Sequence, residues 1–363
     1  MTKLKEKLSF FHVMILTYMI QTGVVVFSIT HLEALHFGTN GWLMALFTSL
    51  VVLVNLMLIA IVHRMSNGRS IFEILEKSIP KFILFPIYLG LAALWSMIGC
   101  LVAKEYVLIF QMYAFPTTSP MVFKVAIDIL AFLLVIKGVY NISKASTVFF
   151  FSTIWMNLLV FKALDDIKLE RLTTFLFKEG GDMFTGFLNI YIAYIGYELS
   201  LLLFPYVNKK TKLMKAVMYG HLIRTFFYLM LGIVSYGIAG HNLLKKMLFP
   251  LLDLLAYIKL PFIERVENLF YGFFLFTTLI TLVMYYWAAG ESTLRIFPKL
   301  KSSVHYFVII LCSLIVSTVP VALDQVLRVL YLLGCAQIVI AFLLPVILIL
   351  LLLIQRRKVV KHG

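Results

Sequence analysis

Two short polar interruptions hold the residues best suited to chemistry. Gln21-Thr22-Gly23 sits about midway through one apolar run, and Tyr194-Ile195-Gly196-Tyr197-Glu198 sits near the middle of another. Each pairs a glycine, which lets the backbone leave helical geometry, with side chains that donate or accept hydrogen bonds. A carboxylate within an apolar run costs at least about 2.5 kcal/mol on membrane-insertion scales. Glu198 therefore binds a ligand ammonium, carries a proton, or accepts hydrogen bonds from N–H groups that a broken helix leaves loose. The last reading is favoured. A third run holds Thr277, Thr278, Thr281 and Tyr285. Thr281 and Tyr285 are four apart and share a helix face, although a hydroxyl in such a run often bonds its own backbone. Ile98-Gly99 marks a point of close approach, for which packing is the preferred cause. No nucleotide loop, zinc signature or nucleophile elbow occurs, and His31 and His36 lack ligand spacing. We therefore expect no catalytic residue, no metal site and no cofactor.

The elements that position these residues follow from composition. Hydrophobic residues make up 62% of the 363 and charged residues 13%, against about half and a quarter in soluble domains. The surplus apolar side chains need lipid as solvent. Spanning it takes roughly 20 apolar residues per helix, and ten segments qualify: 10–31, 41–62, 82–112, 119–137, 143–162, 183–205, 214–239, 266–289, 304–321 and 328–354. The expected fold is an all-α polytopic membrane protein forming a single domain in the lipid bilayer. The net charge of +15 lies in short clusters between these runs, where it sets topology, so nucleic-acid binding is rejected. Cys100, Cys312 and Cys335 all lie within apolar runs, and an odd buried set makes no disulfide framework.

Alternate connections differ in charge. One set, with both termini, holds 20 Lys and Arg; the other holds 8, diluted by acids. The positive-inside rule places the first set, and both ends of the chain, in the cytoplasm. Lys3, Lys5 and Lys7 before the first run imitate a secretory signal, but the run is too long and lacks a cleavage site; an uncleaved first span is expected. Within 70–80, Ser70 and Glu73 suggest a capping box and Ile71, Leu75 and Ile79 share a face, predicting a short amphipathic helix on the cytoplasmic surface. Leu251, Leu254, Leu255 and Ile258 predict a helix within the 240–265 connection. Lys124 and Asp128 are expected to pair, Lys104 beside Glu105 to snorkel, and Arg224 to need an acid or carbonyls from another helix.

If ten helices divide five and five, the interruptions fall in spans 1 and 6, at corresponding positions. Glycine-interrupted segments so placed point to a ligand site of the transporter type, because unwound backbone persists at membrane depth only beside a cavity or buried in protein.

Particular residues sharpen this. Gly41-Trp42 opens span 2, Ser70-Ile-Phe-Glu73 lies in the short helix, and Gly196-Tyr-Glu198 precedes Phe204-Pro205 and a Lys-rich stretch. Phe262-Ile-Glu-Arg-Val-Glu267 enters span 8. With these motifs the chain resembles the spore germination permease family, the B subunits of nutrient germinant receptors, within the amino acid–polyamine–organocation superfamily. The resemblance covers nearly the whole chain. It departs at Gln21, where the family often has the first glycine of Gly-x-Gly, and at Val24 and Val25, where Leu or Ile is usual.

The resemblance implies a leucine-transporter-like fold of two inverted five-helix repeats, 1–162 and 183–354, with helices 1 and 6 broken. It implies a ligand between spans 1, 3, 6 and 8, held by Gln21, Thr22, Gly23, Val24, Ile98, Gly99, Ile195, Gly196, Tyr197, Glu198, Thr281 and Tyr285. The ligand would be a small nutrient, an amino acid first among candidates. The partners would be A-type subunits and C-type (lipoprotein) subunits, and the location the spore inner membrane or bacterial cytoplasmic membrane, with N-in and C-in topology. The alternative is a proton- or sodium-coupled amino-acid permease, for which Thr277 and Thr278 would have to help hold the ion. A third possibility is a structural subunit whose site has decayed. Glu264, Arg265 and Glu267 are expected to form a cluster at the outer end of span 8.

Overall fold

A computed structural model describes residues 7–257 and 266–362. Its helices in chain order are α1 (Phe10–Ile20), α2 (Ile29–Phe37), α3 (Leu43–Ser66), α4 (Ile71–Glu76), α5 (Lys81–Ala114), α6 (Pro120–Val135), α7 (Gly138–Lys162), α8 (Met183–Ile192), α9 (Leu213–Leu244), α10 (Pro250–Tyr257), α11 (Val266–Ile296), α12 (Ser302–Val316) and α13 (Leu323–His362). Among the described residues there is no β-strand, only an isolated parallel bridge between Leu8 and Val207.

Among the described residues seven segments are long and apolar enough to cross a bilayer unaided. The other three expected spans are shorter or divided. Span 1 is split into α1 and α2, span 4 is α6 with 16 residues, and span 9 is α12 with 15. A 15-residue helix rises only about 22 Å, so these spans need neighbours or flanking turns to cross the hydrocarbon. The boundary between spans 4 and 5 also shifts, because Gly138 at φ +79 starts α7 directly after the Ile136-Lys137 turn, five residues earlier than the hydropathy suggests.

Both breaks occur where glycine permits them. Ser9 caps α1 by accepting from the His12 amide at 3.3 Å. The helix runs to Ile20, and Gly23 is extended at φ −87, ψ 174 before a one-turn 3-10 helix, Val24–Phe27, leads into α2. Asp182 caps α8 by accepting from the Phe184 and Thr185 amides. The Thr185 hydroxyl, followed by those amides, holds this carboxyl below its usual range. α8 stops at Ile192, Gly196 takes φ +112, and Tyr197–Tyr206 continues as a 3-10 helix. Ten residues is long for that form, which seldom exceeds 3–4.

α1 and α11 sit at the centre. α11 lies along α5 and also packs on α7 and α12; α1 packs on α9, α7 and α11. α13 closes the remaining side against α5 and α3. The basic connections gather at one end with the termini: Leu8 bridges to Val207, Arg295 meets Glu76 at 3.6 Å, and the Gln355 amide donates to the Ile74 carbonyl at 2.9 Å.

The structure corrects three expectations. α4 forms as a short amphipathic helix, its Ile71, Phe72, Ile74 and Leu75 buried against the bundle, but without the reciprocal capping box. Ser70 accepts from the Phe72 amide, and Glu73 makes no return bond. Lys104 does not snorkel, because it lies ten residues before the end of α5 and is buried, with Nζ 3.8 Å from Met121 Sδ. Among the described residues Arg224 finds neither an acid nor a carbonyl, as detailed below. The Lys124–Asp128 pair does form, at 2.5 Å, with both side chains buried. Leu251, Leu254 and Leu255 are buried on α10 as their spacing predicts. Ile258 and the Phe262–Arg265 part of the entry motif, with most of the expected Glu264, Arg265 and Glu267 cluster, lie outside the described residues, and of Val266 and Glu267 only the backbone is described.

Candidate functional site

The two breaks face each other and are tied together through polar atoms. Gln21 Nε2 donates to the Tyr194 carbonyl at 2.5 Å and lies 3.3 Å from His221 Nδ1. His221 Nε2 in turn lies 2.8 Å from Ser49 Oγ, an arrangement satisfied when the ring proton is on Nε2. The Tyr228 hydroxyl donates to the Ala193 carbonyl at 3.0 Å and approaches the Gln21 carbonyl at 3.4 Å. Thr281 Oγ1 reaches the freed Ile20 carbonyl at 3.1 Å. An interrupted helix exposes carbonyls and amides; Gln21 itself, Tyr228 of α9 and Thr281 of α11 supply partners for the carbonyls, and Ser49 of α3 steadies His221 behind Gln21.

Glu198 performs this service for span 6. Its Oε2 accepts from the Gly196 amide at 2.7 Å, and its Oε1 accepts from Gln337 Nε2 at 2.7 Å and from the Tyr285 hydroxyl at 3.3 Å. The carboxyl is thus an acceptor for a loose backbone N–H, the role favoured on sequence grounds, and it does not line the main cavity.

That cavity, of about 300 Å³, lies between the breaks and spans 3, 8 and 10. Gln21, Gly23, Val24, Ile98, Ile195, Thr281 and Tyr285 line it. The other expected site residues do not. Thr22 faces a smaller cavity on the far side of span 1. Gly99 is a packing glycine: a Cβ there would sit 3.2 Å from the Leu282 carbonyl oxygen and Tyr285 Cβ. Gly196 abuts Ile20, the Tyr197 hydroxyl is engaged with Tyr191 at 2.6 Å, and Glu198 is occupied as described. Gly23 differs from Gly196, since a Cβ at Gly23 would meet nothing within 4 Å. Thr277 and Thr278 both donate to the Phe274 carbonyl, at 2.8 and 3.2 Å.

Sequence reasoning missed Glu105. Ile98, Val102 and Glu105 fall at i, i+4 and i+7 on α5, and all three line the cavity. The Glu105 carboxyl is buried from bulk solvent and has no hydrogen bond or ion pair among the described residues. Its seven-residue spacing from Ile98 was the available signal. His31, Asn189 and Tyr331 also line the cavity, as do Leu327, Leu330 and Gly334 of α13. His31 Nδ1 bonds the Leu244 carbonyl at 3.0 Å. The contribution of span 10 was hidden because its lining residues are mostly apolar and look like lipid-facing positions.

Comparison with known proteins agrees with this architecture. A family described as spore germination protein matches residues 7–326. Spore germination protein GerQB of Bacillus cereus is 23% identical over 267 residues, covering 73% of each chain. Spore germination protein B2 of Bacillus subtilis (strain 168) is 25% identical over 277 residues, covering 74% of this chain and 73% of the relative. Among solved structures, Mhp1, a nucleobase-cation-symport-1 family transporter, superposes with a TM-score of 0.62 at 14% identity, over 93% of this chain and 79% of its own. A Na+-coupled sialic acid symporter gives 0.63 at 11%, over 94% and 78%. MhsT in complex with L-phenylalanine gives 0.59 at 13%, over 96% and 99%. At these identities the likeness concerns the fold, which is that of the leucine-transporter-like membrane proteins.

Proposed function

The chain belongs to the spore germination protein family, and from that premise we propose that it is the membrane subunit of a spore nutrient germinant receptor. In this reading it binds a small nutrient bearing a protonated amine, an amino acid first, and triggers germination through A-type and C-type partner subunits. The observation that carries it is the cavity at the two breaks, with Glu105 unpaired in its wall. A carboxylate at membrane depth is costly alone, and a ligand ammonium would supply its counter-charge. The amides of Gly23, Val24 and Val25 have no hydrogen-bond partner among the described residues and suit the carboxylate end of the same ligand. Signalling is undemanding: a ligand that favours one state of a bundle by about 1–3 kcal/mol is enough to bias its partners. We place the protein in the spore inner membrane with both termini in the cytoplasm, and read 1–162 and 183–354 as inverted repeats.

Fold likeness to cation-coupled symporters supports a second reading, a coupled amino-acid permease. Thr277 weighs against it, because its oxygen opens on the cavity that also holds the buried Arg224 guanidinium, which would repel a cation.

The test is ligand-dependent thermal stabilisation of the purified chain by amino acids and their des-amino analogues. Amino acids should stabilise it and the analogues should not. Glu105→Gln should weaken binding by about 1.5–3 kcal/mol, the worth of a hydrogen bond to a charged group. Equal binding of both ligand sets would remove Glu105 from the site. Gradient-driven accumulation of an amino acid by the chain alone in liposomes would replace the receptor reading with the permease one.

A further inference from the structure

Arg224 sits fully buried in α9, on the side of span 1 away from the large cavity. Its Nε and Nη2 are buried without a hydrogen-bond partner among the described residues. The Tyr228 ring covers one face of the guanidinium at 3.8 Å, which leaves the N–H groups along its edge. Among the described residues no carboxylate lies within ion-pair distance. A buried acid such as Glu105 can escape its charge by taking up a proton. A guanidinium has no such exit, since it keeps its proton in proteins, and a buried charge calls for a compensating partner.

A small cavity of about 30 Å³ adjoins it, lined on its polar side by Tyr18, Thr22, Thr153, Asn157 and Thr277. The room admits one or two water-sized groups: a monatomic ion, not a sulfate or a metabolite. The three threonines donate their protons to backbone carbonyls, Thr22 to Tyr18, Thr153 to Phe149 and Thr277 to Phe274, each at 2.8 Å. Asn157 spends one N–H on the Tyr18 hydroxyl at 3.0 Å, which leaves its second N–H and the Tyr18 proton free to donate. The free donors are thus Arg224 Nε and Nη2, one amide hydrogen and one phenol, all suited to an anion, while the threonine oxygens and Asn157 Oδ1 share the space as acceptors.

We infer that Arg224 holds a small monovalent anion of the halide class behind the span 1 break, with Tyr18 and Asn157 completing its shell. Thr22 belongs both to the break and to this cavity, so the ion braces the inner side of the bend whose other side faces the large cavity.

The test uses the purified full chain, with sodium chloride exchanged for sodium gluconate at constant ionic strength. The thermal midpoint should rise saturably with chloride, by on the order of 2–4 °C, and bromide should substitute. Arg224→Met should abolish the rise. A midpoint equal in chloride and gluconate overturns the inference, as does an unchanged rise in Arg224→Met. Should Arg224→Met fail to fold, line broadening of the chloride NMR signal by the wild-type chain, present or absent, decides the matter.

Discussion

The two break glycines should respond oppositely to the same added methyl. At Gly196 a Cβ would lie 2.4 Å from Ile20 Cγ2, and φ is +112, where L side chains are strained. The backbone strain is worth about 1–3 kcal/mol and the overpacking about another 1–3, so Gly196→Ala should lose roughly 2–6 kcal/mol. At Gly23, φ −87 and ψ 174 suit any residue, and a Cβ meets nothing within 4 Å. Gly23→Ala should be neutral or gain up to about 1 kcal/mol by stiffening the unfolded chain. Thermal midpoints from fluorescence-detected size exclusion would read the difference. In an Ile20→Ala background, which carries its own cavity cost, adding Gly196→Ala should cost only the strain part. Bulk at Gly23 acts differently: Gly23→Leu projects into the cavity and should abolish ligand response at normal abundance. A Gly196→Ala protein as stable as wild type would refute the geometry, and so would a Gly23→Ala protein destabilised by more than about 1 kcal/mol.

Glu198→Ala strands the Gly196 amide, the Gln337 amide and the Tyr285 hydroxyl, so abundance should fall with a loss of at least about 3 kcal/mol. The swap Glu198→Gln with Gln337→Glu keeps an acceptor for Gly196 and reverses the other bond; its stability should exceed that of Glu198→Ala, and no recovery would mean the carboxylate charge itself is needed. At the Lys124–Asp128 pair, removing either partner should cost about 3–5 kcal/mol, whereas Lys124→Met with Asp128→Leu should be near neutral. Equal losses in single and double variants, read as midpoints, would show that the pair does more than cancel its own charge.

The helical class, the positions of both breaks and the Lys124–Asp128 pair were legible because each is local. Hydropathy counts residues along one segment, a glycine between polar neighbours marks where a helix can open, and an i,i+4 pair meets on its own helix. What was illegible depends on which side of a helix meets which neighbour. Gly23 and Gly196 look alike in sequence, yet one opens on a cavity and the other on Ile20. The apolar face of α4 is legible from its spacing, but not that α13 and α5 are what cover it. Lys104, assigned to the surface, is held inside because α5 continues ten residues beyond it.

The buried charges make the same point about function. A charge within a span is visible in sequence, but what compensates it is not, and the kind of compensation separates structure from ligand binding. Asp128 has a lysine one turn away, and Glu198 has three donors from its own break and two other helices. Neither has much left to offer a ligand. Glu105 has no partner among the described residues and stands in the wall of the largest cavity at the breaks; Arg224 has no carboxylate partner among them and stands beside a space of atomic size. Folding alone would favour replacing both with apolar side chains. Their presence is accounted for if compensation arrives from outside the chain: at Glu105 with the nutrient, and at Arg224 with an ion that is there before it.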